Sequence, residues 1–329
     1  MGRYSRYGRT GRRGGIGVVV AVMCTVVAAI TALALVAVLI NLRRADTSVA
    51  PRSAADAYCS AGSGTIPLSP TQASNAALIA RIAMERGLPD HAVTVAIATA
   101  MQESKLTNID YGDLDSVGLF QQRPSQGWGS VEQLMDESYA INAFFDALVK
   151  VPDWQSIPTE DAAQEVQRSG YPDLYANWDD LARAWAQALT GEVAAGAGCA
   201  LEPAGGSDRD GLVAAIGATF PTITVSDGAA SASASASESG AVSRSSSASA
   251  SGAGSSVVSG SGSLVLSLPS GLSDGDARRL VWQCAVWLVA QARGYGVVAV
   301  RANGMEWDRT GGVWSGEESA GLVVSVVLA

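Results

Sequence analysis

The chain has 329 residues, of which 48% are hydrophobic, and this length and composition exclude a wholly disordered protein. After Arg52 the sequence holds 30 acidic and 14 basic residues, and a net charge of about −16 disfavours a nucleic-acid partner. His91 is the only histidine, so the sequence also disfavours a metal site and a nucleophile paired with histidine.

The N-terminal segment is typical of a membrane anchor. Residues 16–40 carry no charge, and at about 1.5 Å per residue such a helix crosses a hydrocarbon core of roughly 30 Å. Basic side chains flank it, with no acidic residue before it, which predicts a cytoplasmic N-terminus. We expect a basic cytoplasmic tail at 1–15, a single transmembrane helix at 16–42 and extracellular domains beyond. A cleaved secretory signal is the alternative, although the apolar run is long for one.

A tether and a helical region follow the anchor. Residues 43–65 are mostly small and polar and predict a tether. Ser69-Pro70 begins a helix that Gly87 ends, and Asp90 caps the next one. Thr159 and Tyr175 begin two later helices, and Pro152, Gly170 and Gly191 end helices. We therefore predict a mainly α domain over residues 66–205.

The C-terminal part, residues 208–329, predicts a small α+β domain. A Ser/Ala/Gly-rich insert at 229–263 interrupts it, and this composition is typical of disorder. After the insert, residues 264–268, 297–301 and 322–328 predict strands, and residues 274–293 predict a helix. Asn303-Gly304 indicates a hairpin turn. Residues 212–225, from before the insert, can complete this domain.

The four cysteines fall into two kinds. Cys24 lies in the apolar anchor and Cys284 in a predicted helix, whereas Cys59 and Cys199 bracket the helical region. In an oxidising exterior these two predict a disulfide. Its loop of about 140 residues would contribute roughly 4 to 5 kcal/mol in the chain-entropy model. Two unpaired thiols remain the alternative.

The second predicted helix of the exported part carries the candidate for chemistry. Its residues from Ala92 to Met101 are apolar nearly all round, which predicts a buried helix. It ends at Glu103, which places a carboxyl group at the mouth of an apolar core, beside a loop at 108–129 rich in Gly and Asp. Apolar surroundings favour the protonated carboxyl, so Glu103 can serve as a general acid. A solvated glutamate in the last helical turn is the alternative.

Residues 100–128, AMQESKLTNIDYGDLDSVGLFQQRPSQGW, resemble the lysozyme-like superfamily, and in particular lytic transglycosylases and goose-type lysozymes. In that superfamily a Glu-Ser pair ends a buried helix, and a Gly-Leu-Met-Gln-like turn follows about fifteen residues later. Glu103-Ser104 precedes Gly118-Leu119-Phe120-Gln121 at this spacing. The resemblance covers about residues 65–200. It implies a lysozyme-like helical domain that cleaves the glycan strands of peptidoglycan and needs no cofactor.

The resemblance also implies roles for individual residues. Glu103 would protonate the glycosidic oxygen, and Ser104 would support it by hydrogen bonding. A tyrosine near the end of the domain would face the acid, with Tyr171 and Tyr175 as candidates, although their surroundings, GYPDLYANW, depart from the usual Ala-Tyr-Asn-Ala-Gly pattern. The residues implied to line the sugar cleft are Ser116, Gly118, Leu119, Phe120, Gln121 and Gln122.

A second carboxylate would decide between two reactions. Glycoside hydrolases place two carboxyl groups across the scissile bond, whereas lytic transglycosylases lack the second. Asp115 could activate water as a base, or it could simply form a turn beside Gly112. A cation bound by Asp113 and Asp115 is a weaker possibility.

Trp128, between two glycines, either stacks on sugar rings or packs between helices. The sequence thus predicts a membrane-anchored enzyme whose partners are peptidoglycan strands and the membrane. One alternative is a non-catalytic peptidoglycan-binding or scaffold protein that keeps the fold. Another is an interaction protein of a surface assembly, in which the C-terminal domain carries the function.

Overall fold

The computed structural model describes residues 57–62, 66–228, 262–319 and 322–329. The helices in these ranges are α1 (Pro70–Glu85), α2 (Asp90–Ser104), α3 (Val131–Leu134), α4 (Glu137–Leu148), α5 (Thr159–Gln167), α6 (Asp179–Leu189), α7 (Arg209–Thr219), α8 (Asp274–Ala290) and α9 (Ala292–Tyr295). The strands are β1 (Tyr58–Ala61), β2 (Ala197–Ala200), β3 (Thr224–Asp227), β4 (Ser263–Ser267), β5 (Val297–Ala302), β6 (Met305–Asp308), β7 (Trp314–Gly316) and β8 (Val324–Leu328). Short 3₁₀ helices span Pro124–Gln126 and Pro172–Trp178. The described part therefore combines helices with antiparallel strands.

Local signals in the sequence explain most helix ends, with two corrections. Ser69 caps α1 and forms a capping box with Gln72, as its position before a proline suggests. Asp90 was predicted to cap α2, but Pro89 is the N-cap and Asp90 is the first helical residue, where its charge favours the helix dipole. Tyr175 was predicted to begin a helix, yet it lies within the second 3₁₀ helix, and α6 begins at Asp179.

Helix α2 is the centre of the helical part. Its residues from Ala92 to Met101 are all buried, as the apolar sequence predicts. Helices α1, α4, α5 and α6 pack around it. A helix enclosed in this way has a rigid backbone, and this rigidity fixes the position of its C-terminal end.

The C-terminal part is a six-stranded antiparallel sheet in the order β3-β4-β8-β5-β6-β7, with α8 packed against β5 and β8. Strand β3, from before the insert, pairs with β4, so this earlier segment completes the sheet. The predicted strands and the long helix after residue 263 are all present. Most of the predicted insert, residues 229–261, lies outside the described residues.

Helix α8 joins the sheet to the helical part. It contacts α1, α6 and β2. The guanidinium of Arg279 donates to the Thr190 carbonyl at 2.8 Å and to Asp90 at 2.7 Å. The Gln283 amide donates to the same Thr190 carbonyl at 2.9 Å. All described residues belong to one compact unit, so α8 stabilises both parts.

A disulfide joins Cys59 to Cys199, which confirms the predicted pairing. The two cysteines lie opposite each other in the antiparallel pair β1 and β2. Cys284 is a free thiol buried in α8.

The predicted membrane anchor lies outside the described residues, together with the rest of residues 1–56. In the described ranges, no helix combines the length and the apolar character that a membrane crossing requires.

Candidate functional site

Glu103 lies half-buried in the last turn of α2 and accepts a hydrogen bond from Tyr175. The phenol oxygen is 2.6 Å from Oε1 of Glu103. Tyr175 is fully buried, and burial, followed by the negative charge of Glu103, raises its pKa above the usual range. The phenol therefore keeps its proton and remains a donor to the carboxylate. Of the two tyrosine candidates, Tyr175 is the one that contacts Glu103, whereas Tyr171 is 74% exposed.

The chain turns sharply directly after Glu103. Lys105 and Leu106 both adopt left-handed conformations, with φ of 55° and 56°. Such backbone costs about 1 to 2 kcal/mol for each residue other than glycine. The Leu106 amide donates to the Ala100 carbonyl at 2.8 Å, and the Leu106 side chain is fully buried, so both interactions offset the strain. This turn ends the helix at the carboxylate.

The predicted motif 118–122 forms a small turn opposite the end of α2. Val117 and Gln122 exchange two backbone hydrogen bonds of 3.1 Å. Gly118 has a φ of +81°, and a Cβ atom there would lie 2.5 Å from the Leu134 carbonyl oxygen, so both the backbone and the space require glycine. The side-chain amide of Gln122 donates to the Ala140 carbonyl at 3.2 Å and fastens the turn to α4.

Ser104 connects α2 to this turn. Its hydroxyl donates to the Leu119 carbonyl at 2.7 Å and accepts from the Thr107 amide at 3.2 Å. It forms no hydrogen bond with Glu103 within the described part of the chain. Ser104 therefore positions the turn relative to the helix end.

Glu103 lines a cleft of about 950 Å³. The end of α2, the loop 113–128, and the ends of α4 and α5 form its walls. Residues that line it are Glu103, Asp113, Gln121, Gln122, Arg123, Gln126, Trp128, Ala147, Lys150, Val151, Pro152, Glu165, Val166, Gln167, Arg168, Ser169 and Gly170. The cleft is open, mostly polar and carries charges of both signs.

Several predicted cleft residues lie beneath the cleft. Leu119 and Phe120 are fully buried, and the Phe120 ring stacks on Phe144 with centroids 4.4 Å apart. Ser116 is 7% exposed and donates to the Asp113 carbonyl at 2.6 Å. Gly118 is buried against Leu134. None of these four residues is in the lining of the cleft, because all four are buried.

Gln121, Gln122 and Trp128 line the cleft. The Gln121 amide donates to the Tyr111 and Gly118 carbonyls, both at 3.3 Å, which orients the side chain. Trp128 is half-buried and also packs against the hydrophobic core. Part of the Trp128 side chain therefore packs against the core, and another part faces the cleft.

Asp115 is not among the residues that line the cleft. Its oxygens accept hydrogen bonds from Arg123 Nε at 2.8 Å, from the Ser125 amide at 2.7 Å and from the Ser125 hydroxyl at 3.0 Å. The bond from Arg123, followed by those from Ser125, lowers the pKa of Asp115 to about 2. A carboxylate held in this way is a weak base, and the structure gives it the role of fastening its own loop.

The basic residues of the cleft were missed from the sequence. Arg123, Lys150 and Arg168 all lie in the lining, yet none belongs to the predicted motif. Lys150 and Arg168 follow the C-terminal ends of α4 and α5, and only the packing of these helices against α2 brings them to the site. The nearby helix stops at Pro152 and Gly170 were a signal for turns here, but not for what the turns face.

No family model and no curated protein matches this chain. Among the described residues, no group of three His, Cys, Asp or Glu side chains could hold a metal ion.

Proposed function

We propose that the chain is a lysozyme-like enzyme that cleaves the glycan strands of peptidoglycan, with Glu103 as its general acid. The observation that carries the proposal is the contact between Glu103 and the buried Tyr175 at the wall of a 950 Å³ cleft. A carboxyl group at the end of a buried helix, oriented by a second group and open to a cleft, fits a general acid.

The arrangement supports a different role for each of four residues in and beside the cleft. Glu103 would give its proton to the glycosidic oxygen, and the leaving sugar would depart with it. The Tyr175 phenol would hold one oxygen of Glu103, so that the other faces the cleft. Gln121 and Trp128, which line the same cleft, would contact the sugar rings.

The position of Asp115 favours lytic transglycosylase chemistry over hydrolysis. A hydrolase needs a second carboxyl group across the scissile bond, and Asp115 is engaged with Arg123 and Ser125. Without such a base, a hydroxyl group of the substrate itself would attack the anomeric carbon and close the ring. Its proton would pass to the Glu103 carboxylate, which restores the acid. A muramidase reaction would need Asp113 or Glu165, the other carboxylates in the lining, to activate water.

The proposed location is the outer face of the cell membrane. The charge-free segment at 16–40 supports a single-pass anchor, and the flanking arginines support a cytoplasmic N-terminus. The Cys59–Cys199 disulfide supports an oxidising compartment. An enzyme held in this way would act on wall polymer close to the membrane.

Product analysis tests the proposal. The purified full-length chain is incubated with peptidoglycan beside a Glu103→Gln variant and a Glu317→Gln control, and released fragments are identified by mass spectrometry. Glu317 is exposed and is not among the residues that line the cleft, and this change removes the same charge. We expect the wild type and the control to release fragments, and Glu103→Gln to lose at least about a thousandfold in rate.

The fragments also decide the reaction. Anhydro-muramyl ends would establish a lytic transglycosylase, and reducing ends would establish a hydrolase. If the wild type and Glu103→Gln both bind the polymer and neither releases fragments, the chain is a non-catalytic glycan-binding or scaffold protein.

A further inference from the structure

Among the described residues, two cationic side chains have no ion-pair or hydrogen-bond partner. Ion pairs with carboxylates involve Arg81, Arg86, Arg123, Arg183, Arg209, Arg278, Arg279, Arg293 and Arg301. The Lys105 ammonium lies 4.5 Å from the Trp178 ring centroid, and the buried Arg309 donates to backbone carbonyls. Within the described ranges, the side chains of Lys150 and Arg168 make neither an ion pair nor a hydrogen bond.

Both unmatched cations line the cleft that contains Glu103. Both side chains are exposed. They are therefore cationic groups in the cleft that remain free to pair with an anion from outside the chain.

Hydrogen bonds fix the backbone that carries Arg168. This residue ends α5 in a left-handed conformation, with φ of 53°, and its amide donates to the Gln164 carbonyl at 2.7 Å. The side-chain amide of the neighbouring Gln167 donates to the Phe120 carbonyl at 2.7 Å, which links the end of α5 to the turn 118–122. The backbone of Arg168 therefore has a defined position beside the turn 118–122.

We propose that Lys150 and Arg168 form a carboxylate-binding subsite that recognises an anionic substituent on the muramyl residue of the substrate. This inference rests on the proposed function. Two carboxylate sources exist on such a glycan, namely the lactyl group of strands without peptides and the acidic groups of stem peptides. A guanidinium binds a carboxylate through two parallel hydrogen bonds, and an ammonium adds a second positive charge.

Lys150 and Arg168 also have a simpler role available. Each follows a helix C-terminus, where a cation gains about 0.3 to 1 kcal/mol from the helix dipole without any ligand. This stabilising role predicts a change in thermal stability on substitution and no change in binding. The subsite predicts weaker binding on substitution and no change in thermal stability. One set of variants therefore distinguishes the subsite from the stabilising role.

The test measures binding without cleavage, so every full-length protein carries Glu103→Gln. The parent protein is compared with a variant that also carries Lys150→Gln and Arg168→Gln. The control variant carries Arg81→Gln instead, because Arg81 pairs with Glu85 on the surface of α1. The ligands are peptidoglycan with stem peptides, glycan strands from which an amidase has removed the peptides, and neutral chitin oligosaccharides. Binding is measured by co-sedimentation or calorimetry at low and high salt, and melting temperatures are recorded for each protein.

We expect the double substitution to weaken binding of an anionic glycan at least about tenfold and to reduce its salt dependence, while chitin binding stays the same. A loss restricted to peptide-bearing polymer assigns the subsite to stem peptides, and a loss with the peptide-free strands assigns it to the lactyl carboxylate. Equal binding of all ligands by the double variant and the control would overturn the subsite. Because no bond is cleaved in this assay, the result is independent of whether the wild type releases fragments.

Discussion

The phenol of Tyr175 donates a 2.6 Å hydrogen bond to the carboxylate of Glu103, although 72 residues separate them in the sequence. The contact links the second 3₁₀ helix to the end of α2. Because Tyr175 is fully buried, its ring cannot move aside without opening the core. One oxygen of the Glu103 carboxylate is therefore held in place by Tyr175.

This contact predicts the effect of Tyr175→Phe. The change keeps the ring and removes only the hydroxyl, so Glu103 loses a charge-assisted hydrogen bond of about 1.5 to 3 kcal/mol. We expect kcat on peptidoglycan to fall about tenfold or more, with KM little changed, because the acid is less well oriented. Tyr171→Phe is the matched control, since Tyr171 is 74% exposed. Equal kcat values for the two variants would show that Tyr175 does not position the acid.

Asp115→Asn tests whether this carboxylate has a catalytic or a structural role. We expect the variant to keep at least about a tenth of the wild-type rate of fragment release, in contrast to Glu103→Gln. Since the folded pKa of Asp115 is lowered to about 2, its contribution to stability is present above its ordinary pKa of 3.8 and is lost as the pH falls through 2. Denaturation should therefore show a less stable variant at pH 7, with the difference shrinking in stronger acid. A loss of activity as large as that of Glu103→Gln would return Asp115 to the role of base.

Gly118→Ala should destabilise the protein by about 2 kcal/mol or more. The added Cβ would lie 2.5 Å from the Leu134 carbonyl oxygen, and the φ of +81° is unfavourable for alanine. Gly217→Ala is the control, because nothing lies within 4 Å of a Cβ at this position in α7, and it should gain about 0.5 to 1 kcal/mol. Urea denaturation of both variants measures the two effects. Equal stability of the two would mean that the turn relaxes without cost.

The raised pKa of Glu192, which lies where the helical part meets α8, predicts that protein stability depends on pH. A hydrogen bond with Asp90, followed by partial burial and the Asp90 charge, raises the pKa of Glu192 to about 7. For a carboxyl group with a raised pKa, the stabilisation is complete below the unfolded value of 4.5 and is lost as the pH rises through 7. Arg279, 3.8 Å from Glu192, opposes this shift.

Glu192→Gln should therefore be more stable than the wild type at pH 8 and similar to it at pH 4. The side chain of Glu192 is 37% exposed, so solvent screening limits the expected gain to about 1 kcal/mol. Urea denaturation at both pH values measures the difference, with Glu317→Gln as a control for the loss of one charge. A difference that does not change with pH would show that Asp90 and Glu192 do not share a proton.

Local sequence signals predicted the elements that carry the site. The capping pattern at Ser69 gave the start of α1, and the apolar run from Ala92 to Met101 gave the buried α2 with Glu103 at its end. The two cysteines at the ends of the helical region gave the disulfide. The capping pattern and the apolar run depend only on residues close together in the sequence. The disulfide depends on the strong tendency of two cysteines to pair in an oxidising compartment.

Contacts between distant exposed side chains were not predictable. The engagement of Asp115 by Arg123 depends on the path of the loop, and an alternating or helical period carries no information about it. Lys150 and Arg168 reach the cleft only because α4 and α5 pack around α2. The two-residue left-handed turn at Lys105 and Leu106 also had no signal, since neither position is a glycine.

The disulfide makes a covalent ring out of the chain between Cys59 and Cys199, a separation of 140 residues that includes Glu103, Tyr175 and the whole cleft. A protease that cuts one exposed loop within this ring leaves the two pieces attached to each other. Nicked protein would thus migrate as an intact chain until a reductant is added. A cut after Cys199, by contrast, falls outside the ring and releases a separate fragment unless packing retains it.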